Sequence, residues 1–557
     1  MATPTFILPS APTYTEGFVN GLNVYPNPTN FVANQVPFTR ATTATRTNAA
    51  GLIELTPYNL ITWSEQLDNI AWSKTNTNVL PNLTNSPFGV LNADLVIPTT
   101  TNGEHNTNPP NAPLAPITNA ETASIYAKAS GYNFIGIRIN VNSSWVVSFF
   151  DLINGVVIST GAGMTASIQS VGEGWYRCIV SYSLRTANGI QLIPSNNGVS
   201  ITFAGDGNSG VFMWGAQLVE GTDALPYQLT ETRLNRPRVD FSLGGCPNLL
   251  LEPQRTNLLV RSEEFNNASW FSSSGGVSVL ANQAIAPNGQ NQMDLITFTG
   301  NTQNLIQSVI VLNATQYTFS IWLATTSGTQ TVQIGGIDIN VWNTVTVTTT
   351  PTRFTITSTT TSTTRFPGIR STGASSILAW GAQMELGAYP TTYVPTQAAT
   401  VTRNLDVAQL TGAQTLIGQT EGTLYWEGTL TAGQADDIFY LNTSVTNSVF
   451  LYRATGVSNT ILFRIYYGGS FITIGNATAY TGLVKIAAAY KSGDSVLYIN
   501  GVQTGTSATA FAFTGALNDV VLNNSAYGFG NAAKRIKSAA IYNTRLTNAE
   551  LATLTTP

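Results

Sequence analysis

Leu497-Tyr498-Ile499-Asn500-Gly501-Val502 and Leu152-Ile153-Asn154-Gly155-Val156-Val157 carry one message at two places in the chain. Each sets Asn-Gly between apolar residues, and Asn-Gly supplies the left-handed backbone that a two-residue hairpin turn needs. Alternation with the period of a half-buried strand runs through Thr344 to Thr350 and Arg353 to Thr357. Good helix formers are scarce outside a few short stretches. Thr occupies roughly 80 positions, well above its usual share, and its branched Cβ favours strands. The fold class that follows is all-β: tandem β-sandwich or jelly-roll modules joined by short turns.

Composition removes much chemistry. The 557 residues include 24 Lys or Arg, 28 Asp or Glu, 2 Cys and 1 His, so that 9% are charged. Clustered zinc, haem or iron–sulfur ligands are not available, because Cys178, Cys246 and His105 are far apart. A net charge of −4 speaks against a basic stripe for nucleic acid. With 43% hydrophobic residues the disorder signature is missing, and no run of about 20 apolar residues suggests a membrane span. Met1-Ala2-Thr3-Pro4-Thr5 has no basic or apolar signal region, so folding in a reducing cytoplasm is expected.

Self-comparison divides the chain. Asn59-Leu60-Ile61-Thr62-Trp63-Ser64-Glu65 through Trp72 returns as Asn257-Leu258-Leu259-Val260-Arg261-Ser262-Glu263 through Trp270. Asp94-Leu95 returns as Asp294-Leu295, Ser124-Ile125-Tyr126 as Ser320-Ile321-Trp322, and Trp214-Gly215-Ala216-Gln217 as Trp380-Gly381-Ala382-Gln383. Preserved order means one fold used twice. The second copy lacks about thirty residues between its middle and last strands, and Val171 to Ser181 is expected in or near the part that differs. Trp214, Ala216 and Leu218 alternate and read as one core face. The alternative makes Trp63, Trp72 and Trp214 a sugar-stacking platform.

Several blocks resemble bacteriophage tail-fibre and tail-appendage proteins. They are Phe38-Thr39-Arg40-Ala41-Thr42-Thr43-Ala44-Thr45-Arg46, Arg236-Pro237-Arg238-Val239-Asp240, and Leu249-Leu250-Leu251-Glu252-Pro253-Gln254-Arg255-Thr256-Asn257-Leu258-Leu259. In that family these blocks precede a carbohydrate-binding-module-like jelly roll ending in Trp-Gly-Ala-Gln. This chain departs from the order. Its first jelly roll is inserted between the first two blocks, which would have to meet again in space. The last third resembles a laminin-G or concanavalin-like lectin sandwich. Its opening strand is Gly422-Thr423-Leu424-Tyr425-Trp426-Glu427, and its closing helix is capped by Thr547 with Glu550.

The expected organisation is an extended arm over 1–35 for virion attachment, a β linker over 36–58, jelly-roll module 1 over 59–230, a connecting segment over 231–256, jelly-roll module 2 over 257–400, and the lectin-like sandwich over 404–557. The resemblance implies a tail fibre or receptor-binding appendage residing in the virion, where it holds host surface glycans non-covalently. Trimers are usual for such appendages, although no heptads are visible here. The competing expectation is a purely structural virion component, such as a head fibre, decoration or collar protein. No enzyme is expected. Glu65 and Glu263 sit in segments that read as structural, Glu263-Glu264 and Asp436-Asp437 are sequence neighbours, and His105 reads as a solvated loop histidine. No cofactor is expected either, since Asp436-Asp437 reads as a surface loop and calcium needs 6–8 converging oxygens. The candidate glycan contact is Tyr466, Tyr467 and Phe471, aromatics flanking the turn at Gly468-Gly469, with a hairpin of buried rings as the alternative.

Overall fold

The computed structural model describes all residues except 1–3, 9–13, 16–17, 21–34, 57–58, 111–116, 142, 226, 232–233, 246, 431–435, 445, 455–459 and 526–531. The fold is all-β, built from antiparallel sheets, with one described helix at Asn548–Thr555. Two compact units emerge: Pro57–Arg233, and Met1–Thr56 together with Leu234–Pro557.

Pro57–Arg233 holds the first jelly roll. Its sheet turns around two long strands, Ile117–Ser130 and Trp175–Ser195, and encloses a core that includes Ile125, Ile137, Phe150, Cys178 and Leu218. Burial in this apolar core pushes the Cys178 thiol far up, which makes it inert. The second jelly roll is a five-stranded and a four-stranded sheet around Ile296, Phe319, Ile334 and Ile377.

The repeated residues do repeated work. Asn59 donates to the Ala216 carbonyl (2.7 Å) and accepts from Leu218 N–H (2.9 Å); Asn257 does the same with Ala382 and Met384 (both 3.1 Å). Trp72 Nε1 donates to the carbonyl of Trp63, and Trp270 Nε1 to that of Arg261, each at 3.0 Å. The opening segment of each copy is therefore an irregular loop pinned to the closing strand by side chains.

Three sequence expectations are corrected here. Trp214 does not share a face with Ala216 and Leu218. Tyr126 pairs with Trp214 but Ser124 with Gln217, so the closing strand carries one extra residue, and Gly215 takes it up at φ +66°. Trp214 then packs with Tyr126 and Trp175 on the opposite face, while Met213, Ala216 and Leu218 fill the core. Gly381 repeats the bulge at φ +65° and puts Trp380 against Trp322. Second, Val171 to Ser181 lies near the part that differs but not in it: Arg177 lies opposite Tyr126 as Arg353 lies opposite Trp322, so the segment is retained and residues are lost on both sides of it. Third, Asn154-Gly155 is not a two-residue turn. Asp151 pairs with Val156, leaving a four-residue loop, because Leu152 is drawn into the core and Asp151 Oδ1 accepts from Ile153 and Asn154 N–H. Asn500-Gly501 is the two-residue turn expected, at φ +50° and +80° between Ile499 and Val502.

The last third is a two-sheet sandwich around Trp426, Phe439, Leu451, Phe463, Tyr490 and Leu522. It borrows strands from far away. Gln35–Thr39 extends one sheet; Arg238–Asp240 and Asn248–Leu251 extend the other. Parts of the stretches read as linkers are thus strands of this sandwich, while Thr45–Thr47 and Ile53–Leu55 pair in a two-stranded sheet of their own. Phe6–Leu8 in the arm pairs with Lys534–Tyr542, Phe6 lying opposite Ile541. Thr547 and Glu550 form the expected capping box.

The three sequence blocks meet in a buried ion cluster within the larger unit. Arg238 binds Glu252 (2.6 Å) and Asp406; Arg40 also binds Asp406 (2.7 Å), and Arg403 binds Glu252 (2.7 Å). All five side chains are at most 2% exposed. Arg40 also donates to the Arg236 carbonyl, which ties the split blocks together. Burial alone would push Glu252 up, but Arg403, Arg238 and Thr392 hold its carboxyl well below the usual carboxylate range.

Candidate functional site

The site lies on the outer face of the sandwich sheet formed by Asp436–Ser444, Asn447–Arg453, Ile461–Tyr467 and Ser470–Ile474. Side chains alternate across a strand. Val449, Leu451, Phe463, Ile465, Ile472 and Ile474 point inward and are buried in the core. The intervening positions place Phe450, Tyr452, Arg464, Tyr466 and Phe471 on the other face.

Register builds the cluster. Tyr466 lies opposite Phe471, and Phe450 opposite Arg464. The Arg464 guanidinium sits 4.5 Å from the Tyr452 ring centroid, 4.9 Å from that of Phe471 and 5.8 Å from that of Tyr466. It donates to the Tyr452 hydroxyl and, at 3.1 Å, to Thr473 Oγ1. Among the described residues no carboxylate pairs with it. Phe450 and Tyr466 lie nearly parallel at 5.9 Å, and Tyr440 extends the row. Phe471 is 56% exposed at the outer end.

The surface combines an open ring, tyrosine hydroxyls and a cation held against π faces. Rings supply apolar contact, hydroxyls and guanidinium supply directional hydrogen bonds, and the pre-set Arg loses little freedom on binding. A sugar has the matching character: a C–H face ringed by hydroxyls.

The structure brings Tyr466 and Phe471 together and separates Tyr467 from them. Tyr467 points to the opposite face, packs on the main core and contacts Phe511 at 5.9 Å. Adjacent residues on a strand must diverge. Sequence reading missed Tyr452 and Arg464, although spacing two along a strand (Phe450 with Tyr452, Arg464 with Tyr466) carried the signal.

The other candidates are structural. Trp72 and Trp214 are buried, so the Trp63, Trp72 and Trp214 platform is not assembled. His105 is buried, not solvated: Nδ1 lies 2.6 Å from the Asn76 carbonyl and Nε2 2.9 Å from that of Phe203. Glu65 accepts from Asn92 and Glu263 from Tyr393, and burial pushes both carboxyls up. Asp436 and Asp437 open a strand where a loop was expected, and their side chains lie outside the described residues. Cys246 lies outside them as well.

No family profile and no curated protein matches the sequence. Among solved structures, the N-terminal CBM22-1-CBM22-2 tandem domain of Paenibacillus barcinonensis Xyn10C aligns over 60% of this chain and 97% of its own, at 9% identity and a TM-score of 0.19. A mutant of the GH43 protein BlXynB from Bacillus licheniformis aligns over 97% of this chain and 98% of its own, at 11% identity and a TM-score of 0.19. Superposition this loose has no bearing on what the chain binds.

Proposed function

We propose that the protein is a bacteriophage virion appendage, a tail fibre or receptor-binding protein, that holds host surface glycans without cleaving them. The observation that supports this reading is the Arg464 face, where an exposed Phe471, two tyrosines and an arginine with no carboxylate partner among the described residues form one surface. The phage assignment rests on the sequence blocks around Arg40, Arg238 and Glu252. Residues 1–35 would join the chain to other virion proteins, and assembly as a trimer in the particle would multiply weak single sites into firm attachment.

The test is binding of the full chain to host cells and to their purified surface polysaccharide. F471A and R464A should each weaken binding about tenfold, the loss of about 1–2 kcal/mol from one aromatic or cation–π contact. Y467F, on the core side, should bind as the parent does. Absence of binding by the parent protein would leave the purely structural reading: a head fibre, decoration or collar component.

A further inference from the structure

A cavity of about 230 Å³ opens where the second jelly roll meets the strands contributed by the head block and the C-terminal sandwich. Its lining includes Arg46, Arg353, Arg535, Glu252, Trp322 and Tyr393, together with four threonines. The charges around it are unevenly matched. Arg46 pairs with Glu54 at 2.8 Å and Arg535 with Asp240 at 3.0 Å. Glu252 is already engaged by Arg238 and Arg403, and it also accepts from Thr392 N–H (2.8 Å) and Oγ1 (2.6 Å). Arg353 has no carboxylate within 4 Å among the described residues.

The first jelly roll supplies an internal control. Arg177 and Arg353 occupy the same place, each donating to a serine hydroxyl (Ser124, Ser320) and to a loop carbonyl (Leu225, Thr391). Arg177 also turns its Nε toward Ser124, at 3.3 Å. Arg353 Nε is shielded from solvent and has no partner among the described residues. Burial pulls the Arg353 guanidinium down to about 10, against the opposing pull of Glu385 and Glu252. The second copy therefore keeps the shared arginine framework and adds Arg46 and Arg535 beside it, around the cavity.

We propose that this cavity binds the carboxylate of a single acidic sugar residue, with Arg353 as its principal partner and Trp322 and Tyr393 as apolar walls. The volume is below the range of about 300–1,000 Å³ that holds drug-sized ligands, so one sugar ring is the size that fits. This site is separate from the Arg464 face and does not rest on it.

The test is calorimetric titration of the full-length protein with D-glucuronate and D-galacturonate. D-glucose serves as the neutral counterpart and acetate as the carboxylate without a ring. A uronate should bind at least tenfold tighter than either control. R353Q and R46Q should each weaken it at least tenfold, and R464A should leave it unchanged. Trigalacturonate binding like the monomer would assign the cavity to a polysaccharide end; binding of the monomer only would assign it to a free sugar acid. Should R353Q not fold, R46Q on the rim carries the test. Uronates no tighter than glucose, or indifferent to R353Q and R46Q, would overturn the proposal. Acetate matching the uronates would overturn the sugar assignment.

Discussion

Asp94 is 1% exposed, with Leu67 N–H on one carboxylate oxygen (2.8 Å) and Asn82 N–H on the other (3.0 Å). Asp294 repeats this with Phe265 (2.8 Å) and Asn282 (2.9 Å). One acidic side chain thus closes two separate stretches of backbone in each jelly roll. Burial pushes the Asp94 carboxyl up to about 6, against the pull of those N–H groups, and moves Asp294 the same way. A folded pKa above the unfolded one means that the folded chain holds its proton more tightly. The resulting stabilisation is complete below the unfolded value near 4 and is lost as pH rises through about 6. Thermal unfolding should therefore show the first jelly roll gaining about 1 kcal/mol between pH 7.5 and pH 5. D94N should flatten that slope and lower stability throughout, because an amide offers one acceptor where two backbone donors wait. An unchanged slope in D94N would assign the pH dependence to other groups.

At the scale of strands and blocks, the buried ions around Arg238 join segments separated by up to 366 residues. Each block contributes something the others cannot replace: Arg40 from the head, Arg238 and Glu252 from the middle, Arg403 and Asp406 from the approach to the last sandwich. Opposed charges this deep are costly to desolvate, and the expense is recovered only while every partner is present. R238M should therefore destabilise the larger unit by about 3–5 kcal/mol, since Glu252 and Asp406 both lose a counter-charge. Denaturant unfolding of the full chain would show this as an earlier transition in that unit, with the transition of Pro57–Arg233 unmoved. Local signals in the sequence account for part of this architecture. Asn500-Gly501 and the capping box at Thr547 are written in neighbouring residues, and the repeat is written in order and spacing. The bulge at Gly215 escaped because a glycine adds a residue to one strand without disturbing the hydrophobic pattern. That the strand at Arg238–Asp240 belongs to a sandwich ending at Tyr542 escaped because pairing over such distances leaves no periodicity in the chain. The Arg464 face was half legible: its aromatics stood out, and the face each one takes required the register.

For the whole molecule, the low charge acquires a location. Five of the charged side chains, Arg40, Arg238, Glu252, Arg403 and Asp406, are buried together where the blocks interlock. The insertion of the first jelly roll fits this arrangement. Within Pro57–Arg233 the two ends are tied to each other: Leu60 N–H bonds the Leu218 carbonyl at 2.8 Å and Ser64 N–H bonds that of Thr230 at 3.1 Å. On the other side of the cut, Arg40 and Asn235 bond through both backbone and side chain, so the larger unit closes over the insertion point. Each unit also has its own core. Residues 57–233 expressed alone should therefore melt in one cooperative transition, with an unfolding enthalpy on the order of 100 kcal/mol. The chain in which a short Gly-Ser linker replaces 57–233 should keep the transition of the larger unit, because Arg40, Arg238 and Asp406 all remain. If the excised piece shows no cooperative melt, or if the shortened chain loses the Arg238-dependent transition, the first jelly roll is an integral part of the sandwich core and not an insertion into it.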